Sequence, residues 1–403
     1  MKGEVKHTIR QNQAWSTDAP GTLLRYNASM TSPHASTKKP GGVVVGLSGG
    51  VDSAVTAALL LEQGYDVHAV ALETWRATAD STEALTPATE VADHLGIPLI
   101  KRDLKETFYR RIVTPFLDDY TRGQTPNPCV FCNPTLKFAT LVEEADRLHA
   151  RWIATGHYAR VVRTEDGISH LLRGLASAKD QSYALYRLTQ DQLQRLLLPL
   201  GNLESKARVR EIARRYGLPS AETGDSQDLC FAVGTSYQEL IGALRPSALQ
   251  PGPIFDESGN HLGDHDGLPL YTIGQRSGLG IAAPQRLYVL QLDPDKNAIT
   301  VGPRSSLAKE TCVIEDVTFM AGRAPGRTFE ALARIRYRAP LTPASVTLKD
   351  KYTAEVAFDA PQYGVAPGQS LVLYDNEETL GGGIIATWLR RDLVAARHSL
   401  GPH

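Results

Sequence analysis

The spacing of apolar and polar positions divides the chain into two parts. In the first part, short strand-like runs alternate with helix-like stretches. The runs are residues 43–47, 67–72, 99–102 and 152–155, and the stretches with helical periodicity are residues 54–63, 87–95 and 136–149. Strands that alternate with helices predict a parallel sheet with helices on both faces. We therefore expect an α/β domain over residues 41–236.

After residue 237 the helical periodicity fades, and strand-like segments follow one another between Gly- and Pro-containing turns. These segments are residues 287–292, 298–301, 332–337, 345–349, 354–358 and 370–374. Many short strands at this spacing predict an all-β organisation. We expect two small β-rich domains, over residues 237–305 and 306–392, with a linker near 303–309. Residues 1–40 are expected to be a poorly ordered extension and residues 393–403 a tail.

Composition narrows the class of protein. The 403 residues are 42% hydrophobic and 22% charged, as in an ordinary globular enzyme, and no apolar run reaches membrane-spanning length. The first forty residues lack the apolar core of a secretory signal, and four cysteines are too few for a disulfide-built secreted protein. We therefore expect a cytoplasmic protein without a membrane partner. Because the net charge is −1, an RNA partner would have to be held by local basic patches.

The strongest chemical signal is a glycine-rich loop between a predicted strand and a predicted helix. Its residues are Gly46, Leu47, Ser48, Gly49, Gly50, Val51, Asp52 and Ser53. Glycines let backbone N–H groups approach an anion, and the start of a helix adds partial positive charge. The two serines can donate to phosphate oxygens, and Asp52 can hold Mg²⁺ against them. No lysine follows the last glycine, as a Walker motif would require, so we expect the loop to bind the pyrophosphate of ATP and the α–β bond to be cleaved.

Three of the four cysteines lie in contexts that suggest chemistry. Cys129 and Cys132 form a C-x-x-C motif, and Cys230 lies in a D-L-C-F segment. Cys312, between β-branched neighbours, is expected to be a small buried apolar residue. The C-x-x-C spacing also suits metal ligands, but a zinc site would need a fourth ligand. Reactive sulfur chemistry and an iron–sulfur cluster with three protein thiolates both stay open.

These motifs, in this order, resemble those of the bacterial tRNA-specific 2-thiouridylases, which are ATP pyrophosphatases of the PP-loop type. Further matching segments are A-T-G-H-Y at 154–158, S-A-K-D-Q-S-Y at 177–183, G-Q-R-S-G-L-G at 274–280, R-Y-R at 336–338 and L-G-G-G-I at 380–384. The resemblance implies an α/β PP-loop domain with a parallel sheet, followed by two small β-rich domains, the last a β-barrel. It also implies 2-thiolation of the wobble uridine of certain tRNAs.

The resemblance further implies roles for individual residues. ATP would be bound by residues 46–53 together with Leu72 and Gly156. The target base would lie at Asn127, Pro128 and Cys129, and tRNA would contact Lys179, Asp180, Gln181, Arg336 and Tyr337. The implied partners are the anticodon loop of tRNA and a sulfur-donor protein, such as a cysteine desulfurase or a sulfur relay protein.

The implied chemistry fits the residue types that the chain offers. The C2 carbonyl of uracil is a poor electrophile, and transfer of AMP to its oxygen makes that oxygen a good leaving group. A low-pKa cysteine with a persulfide can then supply sulfur, because an ionised sulfur attacks and a neutral thiol does not. By resemblance, Cys230 receives the persulfide, and Cys132 attacks it and ends in a disulfide with Cys230. The alternative carrier is an iron–sulfur cluster held by Cys129, Cys132 and Cys230.

Two positions depart from the pattern of the family. Cys129 stands where many relatives carry an aspartate, a proposed general base, so the base in this chain is unassigned. Leu72 stands where relatives tend to have a methionine against the adenine. It is either an apolar contact to ATP or simply the last core residue of a strand.

Basic residues form two further candidate RNA contacts. Arg334, Arg336 and Arg338 alternate along a predicted strand and would share one face, as a phosphate track requires. A basic cluster on a predicted helix, from Lys206 to Arg215, is the second candidate, although such runs are usually a solvated face. His157 is expected to be a hydrogen-bonded structural residue, with contact to ATP as the alternative.

Two other functions are compatible with parts of the sequence. Another PP-loop adenylating enzyme, such as an amide synthetase, would use the loop but leave Cys132 and Cys230 without a role. A non-catalytic RNA-binding protein with a relic nucleotide fold would not need the intact Ser48, Asp52 and Ser53. A tRNA sulfurtransferase accounts for both groups of residues and is the preferred hypothesis.

Overall fold

The computed structural model describes residues 41–77, 85–224 and 229–386. The predicted extension (1–40) and tail (393–403) lie outside these ranges. The α-helices are α1 (Val51–Glu62), α2 (Thr86–Leu95), α3 (Lys105–Phe108), α4 (Thr114–Thr121), α5 (Cys129–Cys132), α6 (Phe138–Arg147), α7 (Gln190–Arg195), α8 (Lys206–Arg215) and α9 (Tyr237–Leu244). π-helical segments cover Tyr109–Val113 and Asn133–Lys137. No helix within the described ranges combines the length and apolar character needed to cross a bilayer.

The strands belong to three sheets. They are β1 (Gly42–Gly46), β2 (Asp66–Glu73), β3 (Leu99–Asp103), β4 (Trp152–Ala154), β5 (Ala159–Arg163), β6 (Ser169–Arg173), β7 (Leu196–Leu197), β8 (Gly252–Phe255), β9 (His261–His265), β10 (Tyr288–Asp293), β11 (Ala298–Gly302), β12 (Ala308–Phe319), β13 (Thr328–Arg334), β14 (Thr342–Leu348), β15 (Ala354–Tyr363), β16 (Ser370–Asp375) and β17 (Glu378–Ile385). The first sheet has the order β3-β2-β1-β4-β7, and all of its pairings are parallel. The predicted α/β domain with a parallel sheet is therefore confirmed.

The central strand of this sheet shows why the sequence folds in this way. Val43, Val44 and Val45 are fully buried, because β1 has a neighbouring strand on each side and helices on both faces. A continuous apolar run is the expected signature of such a strand. The helix α2 ends at Leu95, as the predicted stretch 87–95 does, and the next residue, Gly96, adopts a left-handed conformation with φ of 66°.

The second sheet forms the middle of the chain, and its order is β10-β11-β8-β9. Its core consists of apolar side chains such as Ile254, Val289, Ile299 and Val301. The pairings β10–β11 and β8–β9 are antiparallel, and the pairing β8–β11 is parallel. This is the first of the two predicted β-rich domains.

The last six strands close into an antiparallel barrel. Their order is β12-β15-β14-β13-β16-β17, and β12 also pairs with β17, so this ring has no free edge. The predicted C-terminal β-barrel is confirmed. Cys312 is buried in the barrel core, as expected for a small apolar residue. The predicted linker near 303–309 is short, because a 3₁₀ turn at Arg304–Leu307 leads directly into β12.

The prediction that Arg334, Arg336 and Arg338 share one strand face is wrong. β13 ends at Arg334, and Arg336 and Arg338 lie in the turn that follows, so the three side chains do not share a strand face. Arg334 is itself buried, because Asp180 neutralises it within the protein. Arg334 was expected to face solvent, but its ion pair with Asp180 allows it to lie in the core.

A hairpin from the α/β domain joins the barrel sheet, which the sequence did not suggest. β5 and β6 pair with each other, and β6 pairs with β17 at Leu172 and Glu378. The N–H of Arg173 donates to the carbonyl of Glu377 at 2.8 Å. The hairpin therefore ties the α/β part of the chain to the last strand of the barrel.

Candidate functional site

The nucleotide loop lies where the order of the strands reverses. β1 ends at Gly46 and α1 begins at Val51, so residues 47–50 form the loop. The chain lays β2 and β3 on one side of β1 and then returns to place β4 on the other side. In open α/β sheets, ligands bind outside the carboxyl ends of the strands at such a point. The predicted ATP loop therefore occupies the position at which sheets of this kind bind ligands.

The shape of the loop depends on Gly49. Its φ is +82°, in the left-handed region, and a Cβ built on it would lie 2.5 Å from the Cβ of Pro87. A side chain at this position is thus excluded both by the backbone and by the start of α2. Gly49 lets the loop turn tightly in front of α1, whose first-turn N–H groups have no partner within the helix.

The two predicted serines face each other across this loop. Their hydroxyl oxygens are 3.1 Å apart, and the N–H of Ser48 donates to Oγ of Ser53 at 3.1 Å. The Ser53 hydroxyl also lies 3.0 Å from the carbonyl oxygen of Gly50, to which it donates. Two hydroxyls and the N–H groups of the first turn of α1 therefore line one small surface, as binding of phosphate oxygens requires.

Asp52 is held by two residues that sequence reasoning did not assign to it. The Tyr158 hydroxyl donates to Oδ1 of Asp52 at 2.6 Å, and Nζ of Lys206 lies 2.7 Å from each carboxylate oxygen. Lys206 belongs to the basic cluster that the sequence predicts as a candidate RNA contact. The loop lacks a lysine of its own, and folding supplies one from α8. No local sequence signal marks this pairing, because the two residues are 154 positions apart.

Three of the other arginines of the basic helix are balanced by acids. Arg208 pairs with Glu211, Arg214 with Glu222, and Arg215 with Glu62. These pairs are largely exposed, and exposed pairs contribute little to stability. The pairing favours the solvated-face interpretation of this helix over the RNA-contact interpretation.

Gly156 brings the next strand end against the loop. A Cβ at this position would lie 2.8 Å from the backbone carbon of Asp52, so only glycine allows this approach. Nδ1 of His157 forms a hydrogen bond with the hydroxyl of Thr155, with 2.8 Å between the two atoms. Burial lowers the pKa of His157 to about 3. This arrangement agrees with a structural histidine that stays neutral. Leu72 packs against the apolar core beside the sheet, and its contact with ATP stays a prediction.

The C-x-x-C motif forms the short helix α5. The side chain of Asn127 accepts a hydrogen bond from the N–H of Cys129 at 3.1 Å. Val130 is fully buried in one apolar cluster with Val372 and Tyr374 of the barrel. Packing against the barrel therefore fixes the helix that carries the first two cysteines.

The segment that precedes α5 is also hydrogen-bonded to the barrel, through the backbone of Thr125. The N–H of Thr125 donates to the carbonyl of Pro367 at 2.8 Å, and Nε2 of Gln369 donates to the carbonyl of Thr125 at 2.7 Å. On the other side of α5, the guanidinium of Arg187 lies 4.8 Å from the ring centroid of Phe131 and pairs with Asp316 of β12. The barrel thus helps to build the cysteine site.

Cys132 and Cys230 approach each other from distant parts of the chain. Cys132 packs against the apolar cluster that contains Phe231, the neighbour of Cys230. Phe231 is fully buried between Phe108 and Phe116, with ring centroids 5.9 and 5.2 Å away. The segment just before Cys230, residues 225–228, lies outside the described ranges. The structure brings together the two cysteines to which the resemblance assigns sulfur transfer.

The expected low-pKa cysteine is not found in this arrangement. Burial raises the pKa of Cys129 and Cys230 above the usual range of a thiol, and it raises the pKa of Cys132 to about 12. Cys129 and Cys230 are exposed residues, yet desolvation by the surrounding protein is the largest effect on the pKa of each thiol. Desolvation therefore outweighs the nearby positive charge. All four cysteines are free thiols, and burial favours the neutral form of the three in the site.

Lys137 supplies that positive charge. Its charge lowers the pKa of Cys129, Cys132 and Cys230, but burial raises each of these pKa values by more. Lys137 ends the π-helical segment Asn133–Lys137, in which the N–H of Phe138 donates to the carbonyl of Asn133, five residues back. The wider turn of a π-helix places a residue close to the one five positions earlier, so Lys137 lies over Cys132.

The donor set fits an iron–sulfur cluster poorly. Across the described ranges, no three His, Cys, Asp or Glu side chains are grouped closely enough to hold a metal ion. The three cysteines share one electrostatic neighbourhood but do not converge on one point. We therefore derive no step through a cluster.

The three residues of the predicted tRNA-contact segment 179–181 differ in their burial and in their contacts. Lys179 is half-buried at the end of a 3₁₀ turn. Asp180 is buried, and its carboxylate accepts hydrogen bonds from the N–H groups of Gly174 and Ser182 and pairs with Arg173 and Arg334. Its carboxylate is thus fully used inside the protein.

Gln181 is attached to the nucleotide side of the site. Its N–H donates to the carbonyl of Tyr158, and its side-chain oxygen accepts from the N–H of Tyr158, both at 2.9 Å. Tyr158 in turn holds Asp52. A predicted tRNA-contact segment and the nucleotide loop are therefore joined through one tyrosine.

Tyr337 reaches from the barrel towards the cysteine helix. It is 39% exposed, its ring lies 6.0 Å from that of Tyr183, and Cys129 is among the groups that affect its pKa, which burial raises. Arg336, next to it, is exposed. An exposed aromatic ring beside an exposed arginine is a suitable surface for an unstacked base and a phosphate.

Comparison with known proteins agrees with this architecture. Family models described as the tRNA methyl transferase HUP domain, the tRNA methyl transferase PRC-barrel domain and the aminomethyltransferase beta-barrel domain match residues 41–234, 241–303 and 309–385. The tRNA-specific 2-thiouridylase MnmA of Roseiflexus castenholzii is 44% identical over 367 residues, which cover 85% of this chain and 99% of that protein.

Other relatives give the same result. The proteins of the same name from Carboxydothermus hydrogenoformans and Geobacter metallireducens are each 43% identical, over 354 and 355 residues. These alignments cover 85% of this chain and 97% and 96% of the two relatives. Identity at this level over nearly the full length of the relatives shows common descent and a common fold. The chain belongs to the family of tRNA-specific 2-thiouridylases.

Proposed function

We propose that this protein replaces the C2 oxygen of the wobble uridine in tRNA with sulfur, using ATP to activate that oxygen. The observation that carries the proposal is the position of Lys137. Lys137 ends the π-helical segment that starts directly after Cys132, and the ring of its neighbour Phe138 lies 5.7 Å from that of His157, which directly follows Gly156. This packing supports a single site for the adenylating and sulfur-bearing groups.

The nucleotide side of this site supports the first half of the reaction. Ser48, Ser53 and the first turn of α1 would bind the pyrophosphate of ATP, and the uracil O2 would attack the α-phosphorus. Pyrophosphate leaves, and the base carries AMP on its oxygen. Asp52 is the residue that would hold Mg²⁺, and it would have to exchange Lys206 for the ion, because Lys206 contacts both of its oxygens.

The cysteines support the second half. Cys230, which is exposed, would receive a sulfur atom from a donor protein, such as a cysteine desulfurase or a sulfur relay protein, and so become a persulfide. Its terminal sulfur attacks C2, and AMP leaves with the former carbonyl oxygen. Cys132 then attacks the inner sulfur of Cys230, which releases the thiolated base and leaves a disulfide. A thiol reductant restores both cysteines by donating two electrons.

The raised pKa values suit a site that is reactive only when loaded. A neutral thiol is a poor nucleophile and resists oxidation. The resting cysteines are therefore protected in the cytoplasm, where we place the protein. Asn127, Pro128 and Cys129 would surround the target base, since they form the entrance to α5. The anticodon loop would lie across Tyr337 and Arg336 of the barrel.

A direct experiment tests this function. Purified protein, ATP, Mg²⁺, unmodified tRNA, a cysteine desulfurase with cysteine as the donor of persulfide sulfur, and a thiol reductant are combined, and digested tRNA is analysed by mass spectrometry for 2-thiouridine. We expect one AMP and one pyrophosphate for each sulfur installed. Release of pyrophosphate without any thiolated base under reducing conditions would point to a different adenylating enzyme.

Replacement of Tyr158 by Phe should weaken ATP binding. The hydroxyl donates to the Asp52 carboxylate at 2.6 Å, and a hydrogen bond to a charged group contributes about 1.5–3 kcal/mol. Part of this loss is recovered because Lys206 still contacts Asp52, so we expect the KM for ATP to rise about 3- to 10-fold. Pyrophosphate release measured against ATP concentration gives this value. Tyr288→Phe, in the middle domain, is the matched control and should leave the KM unchanged.

Replacement of Lys137 by Met should make the cysteines less reactive. Lys137 lowers the pKa of Cys129 and Cys230 against the effect of burial, so its loss raises both pKa values and reduces the thiolate fraction at any pH below them. We expect iodoacetamide labelling of these cysteines at pH 8.5 to slow by about 3- to 10-fold. Mass spectrometry of each peptide measures the rate. Lys137→Arg should label nearly as fast as the natural protein, and equal labelling of all three proteins would refute this role.

A further inference from the structure

A basic recess lies outside the site described above. It has a volume of about 470 Å³ and is lined by Arg151, Arg163, Thr164, Gly167, Ser169, Gln194 and Arg195. Its walls come from the start of β4, the hairpin β5–β6 and the end of α7. Three of the seven lining residues are arginines and none is acidic, which is unusual in a protein with a net charge of −1.

The recess lies at the opposite end of the parallel strands from the nucleotide loop. Trp152, next to Arg151, begins β4 and is paired with Val43 near the start of β1, whereas the nucleotide loop follows the end of β1. At about 3.3 Å per residue, the length of β1 alone separates the two by roughly 10 Å or more. The recess is therefore distinct from the proposed catalytic site.

Two guanidinium groups are fixed on one indole ring. Cζ of Arg151 lies 4.6 Å and Cζ of Arg163 lies 5.0 Å from the ring centroid of Trp152. Arg163 is also held by the carbonyls of Leu193, Gln194 and Leu196. Arg151 depresses the pKa of Arg163, although burial does so more strongly. Like charges held at close range favour an anion between them.

Two acids close to the recess already have partners. Asp146 pairs with Arg195, whose other donors bind the carbonyls of Ala150 and Arg151. Asp166, in the turn of the hairpin, accepts hydrogen bonds from the Thr164 hydroxyl and the N–H of Ile168. Neither carboxylate neutralises Arg151, which is exposed and has no carboxylate partner among the described residues.

Ser169 adds an unsatisfied donor. It lines the recess and is 2% exposed, yet its hydroxyl has no hydrogen-bond partner in the described part of the chain. A buried polar group without a partner is costly, and a ligand oxygen in the recess would supply the missing acceptor. This observation is independent of the arginines and points to the same class of ligand.

We propose that this recess binds a phosphate group. Arg151 and the free Nη1 of Arg163 would contact its oxygens, as guanidinium groups commonly do. The group could come from the backbone of tRNA or from a free phosphate or pyrophosphate. Only the tRNA source rests on the proposed function, since binding of a free anion requires no reaction.

Protection from an arginine reagent tests this proposal at the level of single residues. The full-length protein is treated with phenylglyoxal, with its nucleotide loop saturated by a non-hydrolysable ATP analogue, and the peptides are mapped by mass spectrometry. Inorganic phosphate, pyrophosphate and tRNA are added in separate samples, with sodium chloride at matched ionic strength as the reference. We expect at least one of the three to slow modification of Arg151 by about 3-fold or more. Arg110, which is exposed on the π-helical segment Tyr109–Val113, is the internal control.

The three samples separate the sources of the phosphate. Protection by inorganic phosphate or pyrophosphate identifies a site for free anions, and protection by tRNA alone identifies a contact with the RNA backbone. In the latter case Arg151→Glu should reduce the salt dependence of tRNA binding by about one unit of slope, whereas Arg110→Glu should not. Equal modification of Arg151 in all samples and in chloride would overturn the proposal, whether or not the protein thiolates tRNA.

Discussion

Cys230→Ser protein should install sulfur in tRNA at least about 1,000-fold more slowly than the natural protein, because a hydroxyl cannot carry the persulfide. The nucleotide loop does not depend on this side chain, so we expect tRNA-dependent release of pyrophosphate to continue for at least one turnover. Mass spectrometry of digested tRNA measures the first quantity, and a coupled phosphate assay measures the second.

The other cysteines provide controls for this experiment. Cys312→Ala changes a buried thiol in the barrel core and should leave thiolation within about 2-fold of the natural rate, since it removes no reacting group. Cys132→Ser should stop after transfer of the persulfide sulfur and accumulate tRNA bound to Cys230. Normal thiolation by Cys230→Ser would refute the persulfide mechanism altogether.

Asp180→Ala should destabilise the protein by about 3–5 kcal/mol, because it leaves the buried Arg334 and the half-buried Arg173 without their counter-ion. Arg173 and Arg334 both pair with Asp180 at 3.3 Å, and the carboxylate also accepts two backbone hydrogen bonds. The midpoint of urea unfolding, followed by circular dichroism, measures this loss. We expect thiolation to fall only in proportion to the unfolded fraction if Asp180 acts through stability.

Two variants separate charge from packing at this position. Asp180→Asn keeps an acceptor for the backbone N–H groups and should lose less stability than Asp180→Ala. Asp295→Ala removes an exposed carboxylate in a turn and should shift the midpoint very little. A stable Asp180→Ala protein with weakened tRNA binding would show instead that this carboxylate is an RNA contact.

Local sequence signals predicted the parts of the fold that depend on neighbours along the chain. The buried valines of β1, the glycine-rich loop and Gly96 at the end of α2 all carry their structural role in their own residue type and spacing. The alternation of strands and helices was enough to predict the parallel sheet. The failure at Arg334 has a different cause, since its partner Asp180 is 154 positions away and no periodicity shows such a pairing.

The candidate site divides in the same way. The loop residues and the cysteines were found from motifs, whereas Lys206 and Lys137 were not. Lys206 reaches Asp52 only through the packing of α8 on α1. Lys137 lies over Cys132 because its helix takes a π turn, which an amphipathic pattern alone predicts as an ordinary α-helix. The pKa of the cysteines also depends on burial, and for this reason a low value was wrongly expected.

The hairpin β5–β6 has a consequence for biosynthesis. His170 of the hairpin and Glu378 of β17 lie within hydrogen-bonding distance, 2.7 Å, but are 208 positions apart. At about 5–20 residues per second, a ribosome needs roughly 10–40 s to make the intervening segment. During that time β6 has an unpaired edge, which is open to pairing with other nascent chains. Completion of the barrel thus ends a period in which the newly made polypeptide is most in need of a chaperone.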